Sequence, residues 1–321
     1  MTIVLGANQY GKAETRVVRI RRDTGRHEIR DLNVSTSLRG DFSDAHVHGS
    51  QAKVLPTDTQ KNTCFAYAKE KGAGEIEDYA LELARHFASD IESVARARVE
   101  VEEYRWERIS AAGSEHPHAF VRCGQDIRTT AVTVAGKGDA QQAWVVSGLR
   151  DLVVLKSTGS EFAGFLKDRY TTLEETSDRV LATSLTARWR YQSAGAADAG
   201  EAAGAAYQLA RTAAAADWGA AHAQVRQILL ERFAQVHSLA LQQTLWEMGK
   251  AVLEARADVA EIRLSAPNKH HFLADLSPFG LENHGEVFHA ADRPYGLLQC
   301  AVERDDAAGA GPAWESAAAF G

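Results

Sequence analysis

Between Val94 and Val101 the chain alternates strictly. Ala95, Ala97, Val99 and Val101 point one way, while Arg96, Arg98 and Glu100 point the other. A period of two predicts a strand with one wet face. Just upstream, Ile76, Tyr79, Ala80, Leu83 and Phe87 recur at helical spacing. They predict an amphipathic helix from about Glu75 to Ser89, entered after the Gly72–Gly74 break. Further strands are expected at Thr15–Arg22 and Glu28–Arg39, joined by a turn at Thr24-Gly25. More are expected at Thr63–Ala68, Thr129–Ala135 and Trp144–Leu149, with Leu152–Lys156 continuing that last hairpin. Gly113–Pro117 is expected as a turn, and Met1–Gly6 is short enough to be a first strand.

The second half repeats this order. Leu181–Tyr191 reads as a strand. Two helical stripes follow, Val225, Leu229 and Phe233, then Leu241, Leu245, Met248 and Val252. Strands at Glu261–Ser265, Phe272–Leu276 and Tyr295–Val302 close the chain, with Pro267 marking a break. Within this second half, after the Leu181–Tyr191 strand, Ser193 to Ala221 is dominated by Ala and Gly. Alanine favours helix but offers little to pack. An Ala-rich extension of the next helix and a flexible insert both fit. Strands, helix, strands, repeated once, suggest an internal duplication with domains at 1–137 and 138–321. Hairpins with segregated helices give an α+β class rather than a doubly wound one.

Composition narrows the function. The chain has 321 residues, 45% hydrophobic, with a formal net charge of -7 and no basic stripe. Phosphate-gripping nucleic-acid binders usually show such a stripe, so no nucleic-acid partner is expected. No apolar run approaches the ~20 residues of a membrane span. Cys64, Cys123 and Cys300 are sparse, odd in number and form no CxxC pair, which suits a reducing compartment. Neither a signal peptide nor a peroxisomal C-terminal tripeptide is recognisable, so a cytoplasmic location is expected.

No GxGxxG, GxxxxGK[ST] or HExxH pattern is present. The histidine pairs His46-His48, His116-His118 and His270-His271 lack a Cys or Glu set to complete a metal site. Three polar segments stand out. Thr57-Asp58-Thr59-Gln60-Lys61-Asn62 reads on pattern alone as a capped turn before a strand. Asn268-Lys269-His270-His271 reads as a solvated connection. Leu155 to Phe162, with hydroxyls crowded around Gly159, reads as a loop, and loops on rigid scaffolds often carry function.

Those segments resemble the urate oxidase (uricase) family. The matching stretches are Asn8 to Lys12, Thr57 to Thr63, Leu155 to Phe162, Asp168 to Leu173, Asp178-Arg179, Gln242 to Thr244 and Leu264 to His270. The likeness runs from Asn8 to about Gly296. It implies two tandem tunnelling-fold (T-fold) domains whose antiparallel sheets close into a barrel on oligomerisation. It further implies a homotetramer built as a dimer of dimers, with active sites shared between subunits. The implied substrates are urate and dioxygen, and no cofactor is implied.

Carried over by position, Lys12, Thr57 and His270 match the family's proton relay. Arg179 and Gln242 match the pair that holds the purine edge, and Phe162 the residue that stacks on its face. Asn268 matches the residue that, with Thr57, holds dioxygen or water. Asp58, Leu173 and Leu241 match supporting pocket residues, Asp58 and Leu241 chiefly through their backbones. The chemistry is coherent: a guanidinium fork and an amide suit a planar, oxygen-rich anion. The alternatives are a purine- or pterin-binding module without the relay, or a T-fold enzyme acting on a pterin. The latter commonly needs a pterin-anchoring Glu and, in some members, a metal or a nicotinamide. The Ala-rich segment and the tail after Glu303 depart from the family's pattern.

Overall fold

The computed structural model describes residues 2–192 and 217–317. The Ala/Gly-rich segment expected at 193–221 thus lies outside the described residues except for Asp217–Ala221, and the last four residues lie outside them too. Contacts divide the chain into two compact units. One comprises Met1–Gly148, Trp189–His222 and Asp306–Gly321, the other Leu149–Arg188 and Ala223–Asp305.

The first unit opens with β1 (Tyr10–Arg21) and β2 (Glu28–Gly40), followed by α1 (Ser43–His48), α2 (Thr57–Glu70) and α3 (Ile76–Asp90). Then come β3 (Val94–Glu103), β4 (Trp106–Ala111), β5 (Ser114–Arg122), β6 (Ile127–Ala135) and the start of β7 (Gln142–Lys156). The sheet order is β1-β2-β3-β6-β7, and β4 and β5 form a separate hairpin. The pairings β1–β2, β2–β3 and β3–β6 are antiparallel. The stripe expected for α3 is buried as a whole: Ile76, Tyr79, Ala80, Leu83 and Phe87 are at most 3% exposed. Burying each large member stabilises by about 1.5–3 kcal/mol. One charge enters the same core. Glu77 accepts a hydrogen bond from Ser147 (2.6 Å) and pairs with Arg128 (2.6 Å), while burial pushes its carboxyl pKa up.

Several expectations are corrected here. Thr63–Ala68 is not a strand but the middle of α2. Gln60, Cys64 and Ala68, at four-residue spacing, form its buried face, and their small or polar side chains hid the helical period. The wet face of β3 is roofed: Arg98 is buried, donating to Thr133 Oγ1 (2.8 Å) and to the Ala313 carbonyl (3.1 Å) in a short 3-10 turn, Gly311–Trp314. The turn at Gly113–Pro117 shrinks to Ala112-Gly113, both at positive φ, between β4 and β5. Such a two-residue connection matches the twist of a hairpin. Residues 2–6 form no strand.

The second unit holds the rest of β7, most of β8 (Leu181–Tyr191), and α4 (Trp218–Gln235) from residue 223 on. It continues with α5 (Leu241–Ala255), β9 (Val259–Leu273), β10 (Phe288–Ala291) and β11 (Leu297–Glu303). The order is β7-β8-β9-β10, with β11 also on β9. Leu152–Lys156 continues β7 itself rather than turning back. The two strands expected on either side of Pro267 are one, β9. Proline is tolerated because the partner changes there: β11 pairs up to Pro267, and β10 takes over from His270. Both expected helical stripes are buried: Val225, Leu229 and Phe233 on α4, and Leu241, Leu245, Met248 and Val252 on α5.

Helix α5 lies so close to the sheet that Gly249 has no room for a side chain. A Cβ there would meet Val302 Cγ2 at 2.6 Å and Ile262 Cγ2 at 3.3 Å. Overpacking of this kind costs about 1–3 kcal/mol, against a gain of about 1 kcal/mol from alanine's helix propensity. Gly249→Ala is therefore expected to lower stability by about 1 kcal/mol, the balance of those two effects. Adding Val302→Ala should recover part of the loss. Denaturant titration of both variants checks this, and a Gly249→Ala chain more stable than wild type contradicts the close packing.

Candidate active site

The site residues expected from the sequence fall into two groups, one in each unit. Lys12, Thr57 and Asp58 belong to the first. Phe162, Leu173, Arg179, Leu241, Gln242, Asn268 and His270 belong to the second.

In the first unit, Lys12 stands at an irregularity of β1. The β1–β2 register shifts between Lys12 and Thr15, and Glu14 takes a φ of 57°. A non-glycine residue at positive φ is uncommon and marks a local constraint. The Lys12 N–H donates to Thr36 Oγ1 (3.2 Å). The Thr36 hydroxyl donates in turn to Gln60 Oε1 (2.7 Å), and Gln60 Nε2 donates to the Leu55 carbonyl (3.4 Å). Thr36 and Gln60 are both buried. This polar chain ties the strand carrying Lys12 to the first turn of α2, which carries Thr57.

That turn is not closed by a capping side chain. Pro56 precedes it in an extended conformation and makes no side-chain hydrogen bond. The leading N–H groups of a helix have no acceptor within it. With the helix dipole they present a positive end suited to oxygen-rich or anionic groups. Asp58, exposed on this turn, pairs with Lys61 and accepts from Asn62 (3.0 Å). The Lys61 hydrogen bond and charge hold its carboxyl below the usual carboxylate range, and the Lys12 charge adds in the same direction.

In the second unit, the segment between β7 and β8 is held by two isolated bridges, Ser160 to Ser238 and Phe162 to Thr176. Asp178 fastens it further, accepting from Thr158 Oγ1 (3.0 Å) and the Gly159 N–H (3.2 Å). Arg179 donates its N–H to the Ser160 carbonyl (2.9 Å) and its Nε–H to Ser160 Oγ (3.3 Å). Its guanidinium lies 5.1 Å from the Phe162 ring centre, and that ring stacks on Phe165 at 4.8 Å. Among the described residues Arg179 pairs with no carboxylate. Burial lowers its pKa, yet a guanidinium keeps its charge near neutral pH. A half-buried cation without a counter-ion is costly, and an anionic ligand would relieve that cost. Leu173 lies exposed on the same segment.

Gln242 lies exposed in the first turn of α5, beside the buried Leu241. The N-cap, Ala240, supplies no side-chain bond, so the N–H groups of this turn are again open. Asn268 and His270, two apart on β9, share one face. Ile262, Leu264 and Ala266 continue that face into the core, whereas Asn268 and His270 are only partly buried. The Asn268 N–H donates to the Gly296 carbonyl (2.8 Å), and the His270 ring stacks on Phe272 at 5.7 Å. Lys269, on the opposite face, pairs with Asp292 (3.1 Å). The segment Asn268–His271 is thus strand rather than connection. Among the described residues no group of three His, Cys, Asp or Glu side chains could hold a metal ion.

The sequence reading missed Thr36 and Gln60 behind Lys12, and Ser160, Ser238 and Thr244 behind Arg179 and Gln242. All five are buried polar residues. Gln60 had a signal, its four-residue spacing from Cys64 and Ala68, once α2 is taken as a helix.

A family model described as uricase matches residues 8–133 and 145–299. The chain belongs to the uricase family. It is 46% identical over 318 residues to a uricase of Arthrobacter globiformis, covering 99% of this chain and 96% of that protein. A uricase of Danio rerio is 34% identical over 300 residues, covering 92% and 93%. The crystal structure of the Arthrobacter globiformis uricase superposes with a TM-score of 0.86, covering 98% of this chain and 100% of that one. A uricase structure from a Bacillus at 21% identity still gives a TM-score of 0.76 over 93% and 94%, which shows the fold alone. The antiparallel α+β architecture is accordingly the T-fold of this family, and all ten expected site residues lie within the matched segments.

Gly11 is the residue that lets Lys12 sit where it does. A Cβ at Gly11 would come within 1.8 Å of the Thr36 carbonyl oxygen, a clash that only backbone movement relieves. Gly11→Ala should therefore loosen the Lys12–Thr36 bond and speed amide exchange at Lys12 by about tenfold or more, the loss of one such bond. Hydrogen exchange followed by mass spectrometry reads this. Unchanged protection over residues 10–14 would show that the close approach does not constrain Lys12.

Proposed function

We infer that this chain is a urate oxidase, oxidising urate with dioxygen. The observation that carries the reading is the half-buried Arg179 guanidinium, unpaired among the described residues and set beside the Phe162 ring, in a chain of the uricase family. A cation with a fork of donors beside an aromatic plane fits a flat purine anion: the fork takes the ring's edge and the plane its face. Gln242 adds an amide that can both donate and accept on the same edge.

The remaining roles follow from the chemistry of the reaction. Urate, dioxygen and water become 5-hydroxyisourate and hydrogen peroxide. Urate gives up two electrons, dioxygen becomes peroxide, and water supplies the hydroxyl that bonds to C5. Because the electron-rich urate is itself the reductant, no metal or flavin takes part in the proposed step. Lys12, Thr57 and His270 form the relay that removes a proton from urate and activates water. Asn268 and Thr57 hold dioxygen or water over the ring. Leu173 and Leu241 line the pocket, and Asp58 and Leu241 lend their backbone N–H groups. Each complete site draws Lys12 and Thr57 from one subunit and Phe162, Arg179, Gln242, Asn268 and His270 from its neighbour. Dimers closing a barrel stack in pairs as a homotetramer. The division of these residues into one group per unit supports that reading.

Chelator-treated protein should consume oxygen and bleach the ultraviolet band of urate. Arg179→Ala should raise KM by about 10–100-fold, the cost of losing charge-assisted hydrogen bonds. Lys12→Met should lower kcat by about 100-fold or more with a smaller change in KM, as loss of a proton-transfer group does. A requirement for added metal or flavin, or a Lys12→Met variant that changes KM and leaves kcat intact, contradicts the assignment.

A further inference from the structure

Ser160, Ser238 and Thr244 are fully buried hydroxyl residues, each 0% exposed. Aliphatic side chains of similar size would pack there without the cost of burying an oxygen, so their bonds need a reason. Thr244 Oγ1 lies 2.8 Å from Ser238 Oγ and 3.3 Å from the Ala240 carbonyl. The second contact is the ordinary back-bond of a helical threonine. The first reaches out of the helix and is the shorter of the two.

The segment it reaches is fastened in both directions. The Ser238 N–H donates to the Gly159 carbonyl (2.9 Å), and its carbonyl accepts the Glu161 N–H (2.8 Å). These bonds flank Ser160, which accepts from Arg179 through both its carbonyl and its hydroxyl. A continuous path therefore runs from Arg179 through Ser160, Ser238 and Thr244 to the first turn of α5, where Gln242 sits. Apart from the Arg179 Nε–H bond to Ser160 Oγ, every link in that path is made by backbone or by a short hydroxyl side chain. The connection from Ser238 into the helix has little else to hold it: Leu239 is 56% exposed, and its N–H donates to Gln243 Oε1 (3.0 Å).

We propose that Ser238 and Thr244 are positioning residues for substrate binding, their hydroxyl–hydroxyl bond fixing the spacing between the Arg179 guanidinium and the Gln242 amide. This rests on the reading of those two as the groups that hold the purine edge. Urate's oxygens and nitrogens lie at fixed separations on a rigid ring. A fork and an amide that drift relative to each other hold it less well, while the relay residues on β1, α2 and β9 are untouched.

The test is steady-state kinetics with urate on Thr244→Val, Ser238→Ala, the double variant and Thr244→Ser, with wild type and Arg179→Ala run in parallel. Each single loss should raise KM by about fivefold, the worth of one hydrogen bond, and move kcat less. The double variant should be no worse than the worse single, because both act through one bond. Thr244→Ser, which keeps the hydroxyl, should bring KM back toward wild type. If Thr244→Val does not fold, Ser238→Ala, which removes a single oxygen, carries the same reading. Unchanged KM in both single variants overturns the proposal, and so does a fall in kcat alone or single effects that multiply in the double variant. Arg179→Ala separates the two levels. Weakened urate binding there, with intact binding in the Ser238 and Thr244 variants, removes the positioning role and leaves the function standing. Unchanged KM in Arg179→Ala removes the clamp itself.

Discussion

The bridge between Ser160 and Ser238 is the interaction on which the loop carrying Phe162 and Arg179 depends, and it ties that loop to the start of α5. It is not part of a long ladder. It joins the irregular segment after β7 to the few residues before α5, two stretches that periodicity alone leaves as loops. Loops carry unsatisfied backbone groups and are mobile unless those groups find partners. Here the Gly159 carbonyl, the Glu161 N–H and both backbone groups of Ser238 are paired. Asp178 closes the segment from the other side. Arg179 is thereby carried on a braced loop, and a cation held in place before its ligand arrives loses less freedom on binding.

The first unit solves the same problem differently. Lys12 sits on a strand, but at a point where the register shifts and where a glycine admits the close approach of the Thr36 carbonyl. The buried Thr36 and Gln60 side chains then connect that strand to the start of α2. In both units some of the candidate residues lie in the first turn of a helix that lacks a side-chain cap, Thr57 and Asp58 on α2, Leu241 and Gln242 on α5. Leaving a cap out costs about 1 kcal/mol of helix stability. In exchange the leading N–H groups stay open toward a ligand.

Much of the frame was legible in the sequence because it rests on apolar period. The stripes of α3, α4 and α5 and the alternation of β3 pointed to those elements. The failures share a cause. Helix α2 buries Gln60, Cys64 and Ala68, which no hydrophobic stripe advertises, so its second half resembled a short strand. Strand β9 runs through Pro267 because its partner changes there, a fact of pairing rather than of composition. Arg98 looked exposed because its cover, the turn at Gly311–Trp314, lies more than two hundred residues away in sequence. The candidate site residues were legible only through resemblance to a family. Neither Arg179 nor Gln242 carries a local pattern that sets it apart, and the hydroxyls behind them became visible only as buried polar atoms.

We propose that a working site combines Lys12 and Thr57 of one subunit with Arg179, Gln242 and His270 of another. Co-expression of two inactive chains, Lys12→Met and Arg179→Ala, tests it most directly. In a two-fold dimer of mixed chains one site carries both lesions and the other carries neither. With random pairing half the dimers are mixed, so urate oxidation should return to about a quarter of the wild-type rate. The same chains purified separately and mixed without dissociation should stay inactive. Verified mixed assemblies no more active than either parent would place every site within a single chain and contradict the shared site.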